Sequence, residues 1–203
     1  MSYFVGRRAS LGIAREATRG TFVTPTYWLP YESLKIDDKA IVVDAGGAFA
    51  QIEDSMESFV TKKFAEGEIE AILDDKAIGV ILSALVGSAP SSSGSTNYTH
   101  TFTLANSNQH TSLSLMVQDP NSATAFALAM LDSFEIKVEP EGLIKYTASF
   151  RSRAGQDRTP VTTVYTALGN RFIHTNLVFK LAASTGTLAA ASALNLRSLS
   201  IKF

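Results

Sequence analysis

The chain has 203 residues, which is enough for one large domain with a sizeable core. Its net charge of −1 provides no basic field for nucleic acid or anionic lipid, and the absence of cysteine excludes disulfides, thiolate metal sites and cysteine nucleophiles. Only 18% of the residues are charged, against a usual share of about 25%, which indicates either a surface covered by neighbouring subunits or hydroxyl groups used in place of charges.

The N-terminal part of the chain alternates between turn-rich and strand-like segments. Residues 1–26 are interrupted by glycine and proline, contain no apolar core of a secretory signal and are predicted to form an extended N-terminal arm. Residues 27–36 have strand character, although Pro30 restricts their pairing to a sheet edge or a strand start. Residues 37–55 lack a clear pattern and are predicted to be a long loop, whereas residues 59–73 again predict a strand.

A single helix is predicted over residues 75–86. Asp74 and Asp75 can cap its N-terminus, because carboxylates accept hydrogen bonds from free N–H groups and suit the helix dipole. Gly87 suits the left-handed position that commonly ends a helix. Apolar side chains surround nearly the whole helix, which predicts that it is buried. The burial is either under a sheet of the same chain or partly against another subunit.

Further strand-like segments follow a Ser/Gly-rich linker at residues 88–97. Apart from the long hairpin described next, these predicted strands are residues 98–104, 111–118, 171–181 and 194–203. One helix among many strands predicts a mainly β protein, a β-sandwich or barrel with one flanking α-helix. We expect residues 27–203 to form this single domain.

The most regular pattern predicts a long β-hairpin over residues 123–153. Apolar side chains lie at even positions of both strands, and the odd positions are polar or small. This period of two extends over strands that are about twice the usual length of five or six residues. A long strand edge without a partner invites aggregation, so we expect neighbouring subunits to close the edges of this protein.

The same pattern predicts the turn of the hairpin. The apolar residues of both strands lie at even positions, and paired residues point to the same face of a sheet. The sequence numbers of two paired residues must therefore add up to an even number. A three-residue loop of Pro140, Glu141 and Gly142 meets this condition, with Pro140 first in a type I turn and Gly142 in the left-handed conformation. Glu135 then lies within diagonal reach of Lys145. The predicted apolar pairs are Val138 with Ile144, Ile136 with Tyr146, and Phe134 with Ala148.

No catalytic, nucleotide-binding or metal-binding motif is recognisable in the sequence. His100, His110 and His174 lack the close spacing of metal ligands, and the acidic pairs fall in predicted loops or at the helix cap. We therefore expect neither an enzyme nor a bound cofactor. Arg151, Arg153 and Arg158 could bind phosphate or pair with acids of a neighbour; the second role is favoured because no aromatic residues interleave with them. The structural and assembly candidates are Gly142, Pro140, Glu135, Lys145, Arg151 and Arg153.

The order of the motifs resembles that of the tail tube proteins of long-tailed, non-contractile bacteriophages. That family opens with a Gly-Ile-Glu-rich segment, then Gly-Thr, Thr-Pro and an aromatic-Leu-Pro motif. The matching residues here are Gly12, Ile13, Glu16, Gly20, Thr21, Thr24, Pro25, Trp28, Leu29 and Pro30. Segments 67–88, 98–104, 112–119 and 131–153 then follow in the order of the family, so the resemblance covers almost the whole chain.

The resemblance implies a tail-tube-type subunit that forms hexameric rings, which stack head to tail into a hollow tube. It further implies that inner strands join into one barrel, and that a tape-measure protein fills the lumen before DNA is ejected through it without tight binding. Implied partners also include the tail terminator and tail tip proteins, and the implied location is the virion tail, assembled in the host bacterial cytoplasm. The family normally continues past a strand like the last one here, so we expect that the sequence lacks a C-terminal family segment.

Two other classes of protein are compatible with a β-rich sequence. A monomeric β-barrel that binds a small molecule would need a strand face with convergent polar groups around an interior pocket. A hydrolase would need an active site assembled from scattered residues. The sequence shows no sign of either arrangement, and a subunit that self-assembles is therefore the favoured interpretation.

Overall fold

The computed structural model describes residues 8–25, 27–46, 55–76, 78–94, 99–106, 109–165, 170–194 and 196–203. The protein is mainly β with one α-helix, which confirms the predicted fold class. The strands are β1 (Ser10–Arg15), β2 (Tyr27–Leu29), β3 (Ser33–Gly46), β4 (Ser55–Ile72), β5 (Ser91–Ser93), β6 (Thr99–Thr101), β7 (Leu113–Gln118), β8 (Ala123–Val138), β9 (Lys145–Arg153), β10 (Gln156–Arg158), β11 (Phe179–Lys180), β12 (Ala193–Leu194) and β13 (Leu199–Lys202). The helix α1 is Ile78–Val86, and short 3-10 helices span His174–Asn176 and Thr185–Thr187.

The large antiparallel sheet is organised around β8. Its strand order is β2-β1-β7-β8-β9-β4-β3, and β10 and β13 also pair with β8. The first half of β8 pairs with β7 and β10, whereas its second half pairs with β9 and β13. Side chains from both halves meet in one core cluster, in which β1 and β7 pack with β4, β9 and α1. The long strand β8 therefore connects two parts of the sheet that share a core.

The hairpin of β8 and β9 has the predicted register near its turn and departs from it further away. Phe134 pairs with Ala148 and Ile136 with Tyr146, as predicted. A register shift between Leu131 and Ser133 then changes the face that each residue of β8 presents. The prediction that every even position of β8 faces the core was therefore wrong: Phe134 and Val138 are buried, but so are Ala125 and Ala129.

The predicted pairing of Val138 with Ile144 lies one step beyond the last observed pair of the hairpin, Lys137 with Lys145, which has the predicted register. Val138 pairs with Leu199 of β13. The Ile144 N–H donates to the Phe172 carbonyl, and its own carbonyl accepts from Leu73 N–H. The sequence pattern is local, so it could not indicate these additional contacts with distant segments.

The predicted N-terminal arm, residues 1–26, is corrected by the structure. Residues 10–15 form β1, which pairs with β7 on one side and β2 on the other, and Leu11 and Ile13 are fully buried. Gly12 looked like a strand breaker, yet it is required here because a Cβ at this position would overlap the ring of Pro25. Residues 10–15 thus belong to the folded sheet, while residues 1–7 and 26 lie outside the described residues.

The predicted loop over residues 37–55 is also wrong for its described part. Residues 33–46 form β3, which pairs along its whole length with β4. The predicted strand over residues 59–73 is present as the longer β4. Pro30 separates β2 from β3 within the segment predicted as one strand, consistent with its lack of an N–H group. Residues 47–54 lie outside the described residues.

The helix α1 is buried as predicted, with Ile81 and Ala84 in the core cluster and no exposed side chain among residues 78–86. It begins at Ile78 rather than at residue 75. The Asp75 carboxylate accepts two hydrogen bonds from Asn170, from the backbone N–H and the side-chain amide, each 2.9 Å long. Asp75 thus fixes a distant loop instead of capping the helix.

Candidate assembly surfaces

One face of the β8–β9–β4–β3 part of the sheet packs on the core, and the opposite face is polar. The strand registers place side chains from all four strands, and from β13, next to one another on this face. We call it the polar sheet face. Its cations are Lys35, Lys39, Lys137, Lys145, Arg151, Arg153 and Lys202, and its carboxylates are Asp37, Glu66, Glu68, Glu70 and Glu135.

The cations of the polar sheet face are largely compensated by nearby carboxylates. Arg151 Nε lies 3.2 Å from Glu66 Oε1, and the other oxygen of Glu66 accepts from Lys39 Nζ. The hydrogen bond from Lys39, together with the charges of Lys39 and Arg151, lowers the pKa of Glu66 below its usual value. The carboxylate of Glu66 therefore links three neighbouring strands, β3, β4 and β9.

The predicted pair of Glu135 and Lys145 is replaced by two separate contacts. Lys145 Nζ lies 2.7 Å from Glu32 Oε2, and this hydrogen bond and charge raise the pKa of Lys145. Glu135 accepts a 2.6 Å hydrogen bond from the Ser200 hydroxyl, which is the main reason that its pKa is lowered, and lies 3.8 Å from Lys137 Nζ. Both residues remain on the polar sheet face, but each is paired with a different strand or loop.

Arg153 contacts the N-terminal segment rather than an acid. Its guanidinium donates a 3.1 Å hydrogen bond to the carbonyl of Gly20, a residue in the left-handed conformation with φ of 79°. Arg158, the third arginine of the predicted cluster, lies over the ring of Phe22 at 5.2 Å. Arg153 and Arg158 therefore hold residues 20–22 against the sheet, whereas Arg151 pairs with Glu66.

The turn of the β8–β9 hairpin differs from the predicted one. The Gly142 N–H donates to the Glu139 carbonyl at 3.3 Å, so Pro140 and Glu141 are the two central residues. Glu141 has a φ of 58°, whereas Gly142 is outside the positive-φ region. A positive φ at the third residue is the geometry of a type II turn, with Pro140 at its favoured position. The prediction that Gly142 adopts the left-handed conformation was therefore wrong.

A buried carboxylate that the pattern analysis did not single out organises the other end of the sheet. Glu16 accepts four hydrogen bonds, from the hydroxyls of Ser112 (2.5 Å) and Ser114 (3.0 Å) and from the N–H groups of Gly20 (2.6 Å) and Leu128 (2.8 Å). Leu128 has a φ of 57°, in the middle of β8, where the pairing with β7 is irregular. In the sequence, Glu16 appeared only as one residue of the family's opening motif.

The outer part of the β3–β4 hairpin exposes a cluster of apolar side chains. β9 pairs with β4 only from Phe64 onwards, so in the described part of the chain residues 57–63 pair with β3 alone. We call residues 41–46 and 57–63 the outer hairpin. Its exposed apolar side chains are Ile41, Val42, Val43, Phe59 and Val60, each about half exposed. Exposed apolar side chains grouped in this way commonly mark an interaction site.

Neither a metal-binding cluster nor a membrane helix is found in the described ranges. No group of three or more His, Asp or Glu side chains is positioned there to hold a metal ion. Within the same residues, no helix is long and apolar enough to cross a membrane.

These features are typical of a β-sheet protein that functions through its surfaces, with one broad polar face and an apolar hairpin at one end. The model of the phage tail tube protein family matches this chain over residues 6–203. The chain therefore belongs to the phage tail tube protein family, which confirms the family predicted from the order of its motifs. Its role is that of a structural subunit of the virion tail tube. A search of curated proteins found no match.

Proposed function

We propose that this subunit forms hexameric rings that stack into a hollow tube, and that DNA is ejected through the lumen of that tube. Membership of the tail tube family supports assembly into a tube. The observation that carries the finer proposal is the polar sheet face, which is broad, uncovered in the single chain and compensated in charge. We assign this face to the lumen.

Charge compensation suits a wall along which DNA must slide. Cations without partners would bind phosphates at every ring and slow the passage of DNA. Here Lys137, Lys145 and Arg151 each have a carboxylate within ion-pair distance. A wall of this kind attracts DNA weakly and retains water, in agreement with the net charge of −1 for the whole chain.

The free edge of β3 provides a means of closing the ring. Among the described strands, β3 pairs with β4 alone, so the edge opposite β4 presents N–H and C=O groups along 14 residues. An edge of this length is a template for pairing with another strand. Pairing between copies would join the sheets into a closed barrel, which removes the exposed edges altogether.

The remaining roles follow from a tail tube and are part of the same proposal. The subunit would contact itself, a tape-measure protein in the lumen, and the terminator and tip proteins at the tube ends, after assembly in the host cytoplasm. The alternative of a monomeric small-molecule-binding barrel gains no support from the cavities of about 250 and 290 Å³ in the described part of the chain, which lie on the sheet face and beside α1.

Electron microscopy and DNA binding at graded salt test this proposal. We expect rings or tubes with a sixfold channel, and weak retention of double-stranded DNA at physiological salt. The double variant Glu66→Gln/Glu135→Gln uncovers cations on the polar sheet face and should increase salt-sensitive DNA retention. The matched control Glu141→Gln/Asp157→Asn removes the same charge elsewhere and should not. Tight DNA binding by the wild type that is lost in Arg151→Ala/Arg153→Ala would contradict the proposal, as would a strictly monomeric protein.

A further inference from the structure

The cavity of about 290 Å³ beside α1 has the size and lining of a site for a small molecule. We call it the helix cavity. Its carbon-rich lining comes from β2, α1 and the residues next to the β5–β6 pair, namely Tyr27, Val80, Pro90 and Phe102. An apolar cavity of about 150 Å³ can hold a benzene ring, so the helix cavity has room for an aromatic ring with a substituent at each end.

The walls of the helix cavity are held in place by backbone hydrogen bonds. Tyr27 belongs to β2 and pairs with Ile13 of β1. The segment that carries Phe102 is tied to the end of α1, because the Ala105 N–H donates a 2.8 Å hydrogen bond to the Val86 carbonyl. The cavity is therefore formed by the single chain, as is usual for sites that bind small molecules.

The mouth of the helix cavity carries more cations than carboxylates. Arg15, Lys76 and the imidazole of His100 line the cavity and are exposed. Among the described residues, no carboxylate lies within ion-pair distance of Arg15 or His100. The single carboxylate of the described lining, that of Asp75, already accepts two hydrogen bonds from Asn170. The guanidinium of Arg15 is therefore available to a carboxylate of a ligand, which it can bind through two parallel hydrogen bonds.

The floor of the helix cavity offers a hydrogen-bond acceptor. Ser83 lines the cavity and is only 2% exposed, so it lies deeper than the exposed cations. Its hydroxyl donates a 2.6 Å hydrogen bond to the Val80 carbonyl. The hydroxyl proton is thus already used, while the oxygen can still accept a hydrogen bond. A ligand that reaches the floor would be recognised there through an O–H or N–H donor.

We propose that the helix cavity binds a small aromatic carboxylate that has a hydrogen-bond donor at the far end of its ring, as in a hydroxyphenyl-substituted acid. The carboxylate pairs with Arg15 at the mouth, the ring packs between the carbon-rich side chains, and the hydroxyl donates to Ser83. This binding site goes beyond the proposed function and does not depend on it, because the described residues that line the cavity lie outside the polar sheet face.

Isothermal titration calorimetry with para-hydroxyphenylacetate tests the proposal. We expect saturable binding with one site per chain. Phenylacetate lacks the hydroxyl and para-hydroxyphenylacetamide lacks the charge, so each should bind about threefold to tenfold more weakly, as expected for the loss of one hydrogen bond or charged contact. Equal affinities of the three compounds would overturn the proposal, and so would the absence of saturable binding by para-hydroxyphenylacetate.

Filling the helix cavity shows whether the ligand binds there. Gly79→Phe places a ring in the cavity and should abolish binding. Gly79→Ala is the matched control, because its Cβ would lie 3.9 Å from Phe102, an ordinary contact, and it should bind like the wild type. Thermal melting followed by circular dichroism establishes that both variants are folded. Binding by a folded Gly79→Phe variant that equals the wild type would exclude this cavity as the site.

Two milder variants test the roles of the two ends of the cavity. Arg15→Gln should weaken the binding of para-hydroxyphenylacetate by about threefold to tenfold and leave that of the neutral amide unchanged. Lys35→Gln removes a cation of the polar sheet face and should have no effect. Ser83→Ala should abolish the preference for para-hydroxyphenylacetate over phenylacetate. Unchanged affinities in both Arg15→Gln and Ser83→Ala would overturn the assignment. A wild-type protein that binds the ligand but never assembles would contradict the proposed function alone.

Discussion

The hairpins β8–β9 and β3–β4 are both long, but their surroundings differ. β8 has partners on both edges and one face in the core, and Phe134 is fully buried there. Among the described residues, the outer hairpin pairs only within itself, and Phe59 is 54% exposed. The first hairpin is stabilised by the fold of the single chain, whereas the second presents apolar surface that the single chain leaves uncovered. The same residue type is therefore expected to support stability in one hairpin and assembly in the other.

The largest expected effect contrasts the two phenylalanines. Phe134→Ala should lower the free energy of unfolding by about 3–5 kcal/mol, since it leaves a cavity in the core beside Tyr146. Phe59→Ala should change it by less than about 0.5 kcal/mol, as is usual for surface positions. Urea denaturation of unassembled protein measures both values. Similar losses in the two variants would mean that the outer hairpin is packed within the single chain, and the contrast between the hairpins would fail.

The second prediction compares the buried polar contacts of Glu16 with the apolar contacts of the core as sources of stability. Glu16→Ala removes the acceptor for the N–H groups of Gly20 and Leu128, and each donor left without a partner costs about 1–3 kcal/mol. We expect a loss of at least about 2 kcal/mol in the free energy of unfolding. Glu16→Gln keeps the shape and one oxygen and should lose less. Equal stability of Glu16→Ala and the wild type would show that water replaces the carboxylate.

The ion pairs of the polar sheet face predict how stability depends on pH. The pKa of Glu66 is lowered by its hydrogen bond from Lys39 and by nearby charges, so folding favours its ionised form. This contribution is fully present above the usual value of 4.5 and is lost as the pH falls through the lower, folded-state pKa. The melting temperature of Glu66→Gln should therefore fall less steeply than that of the wild type below pH 4.5. Glu68→Gln controls for the change in net charge, and identical acid profiles of Glu66→Gln and the wild type would contradict the prediction.

The sequence predicted those elements whose determinants are local. Alternation identified the strands near the β8–β9 turn and their register, because each apolar residue there faces one core. The all-round apolar character of α1 identified its burial. The pattern of β3 was missed because apolar residues occupy consecutive positions, Ile41, Val42 and Val43, where neither face is covered in the single chain.

Contacts between distant segments could not be predicted in this way. β1 is a strand because it pairs with β7, about 100 residues later, and the irregularity at Leu128 forms around Glu16, which is 112 residues away. The candidate residues Lys145 and Glu135 were correctly placed on one face, but their partners Glu32 and Ser200 come from other parts of the chain. A carboxylate such as Glu16 has no periodic signal, so only the folded structure identifies its four donors.

The smallest effects are expected at the turn of the β8–β9 hairpin. Gly142→Ala should change the free energy of unfolding by less than about 0.5 kcal/mol, because Gly142 is outside the left-handed region and a Cβ would lie 3.5 Å from the Glu139 carbonyl. Glu141→Gly should be neutral or stabilising by up to about 1 kcal/mol, since relief of the left-handed conformation offsets the added flexibility of the unfolded chain. Gly87→Ala serves as the contrasting control: Gly87 has a φ of 74° and an added Cβ would overlap the ring of His110, so this variant should melt at a lower temperature. A clear loss of stability in Gly142→Ala, with none in Glu141→Gly, would indicate that Gly142 is left-handed, as the sequence pattern predicted. It would also exclude the type II turn.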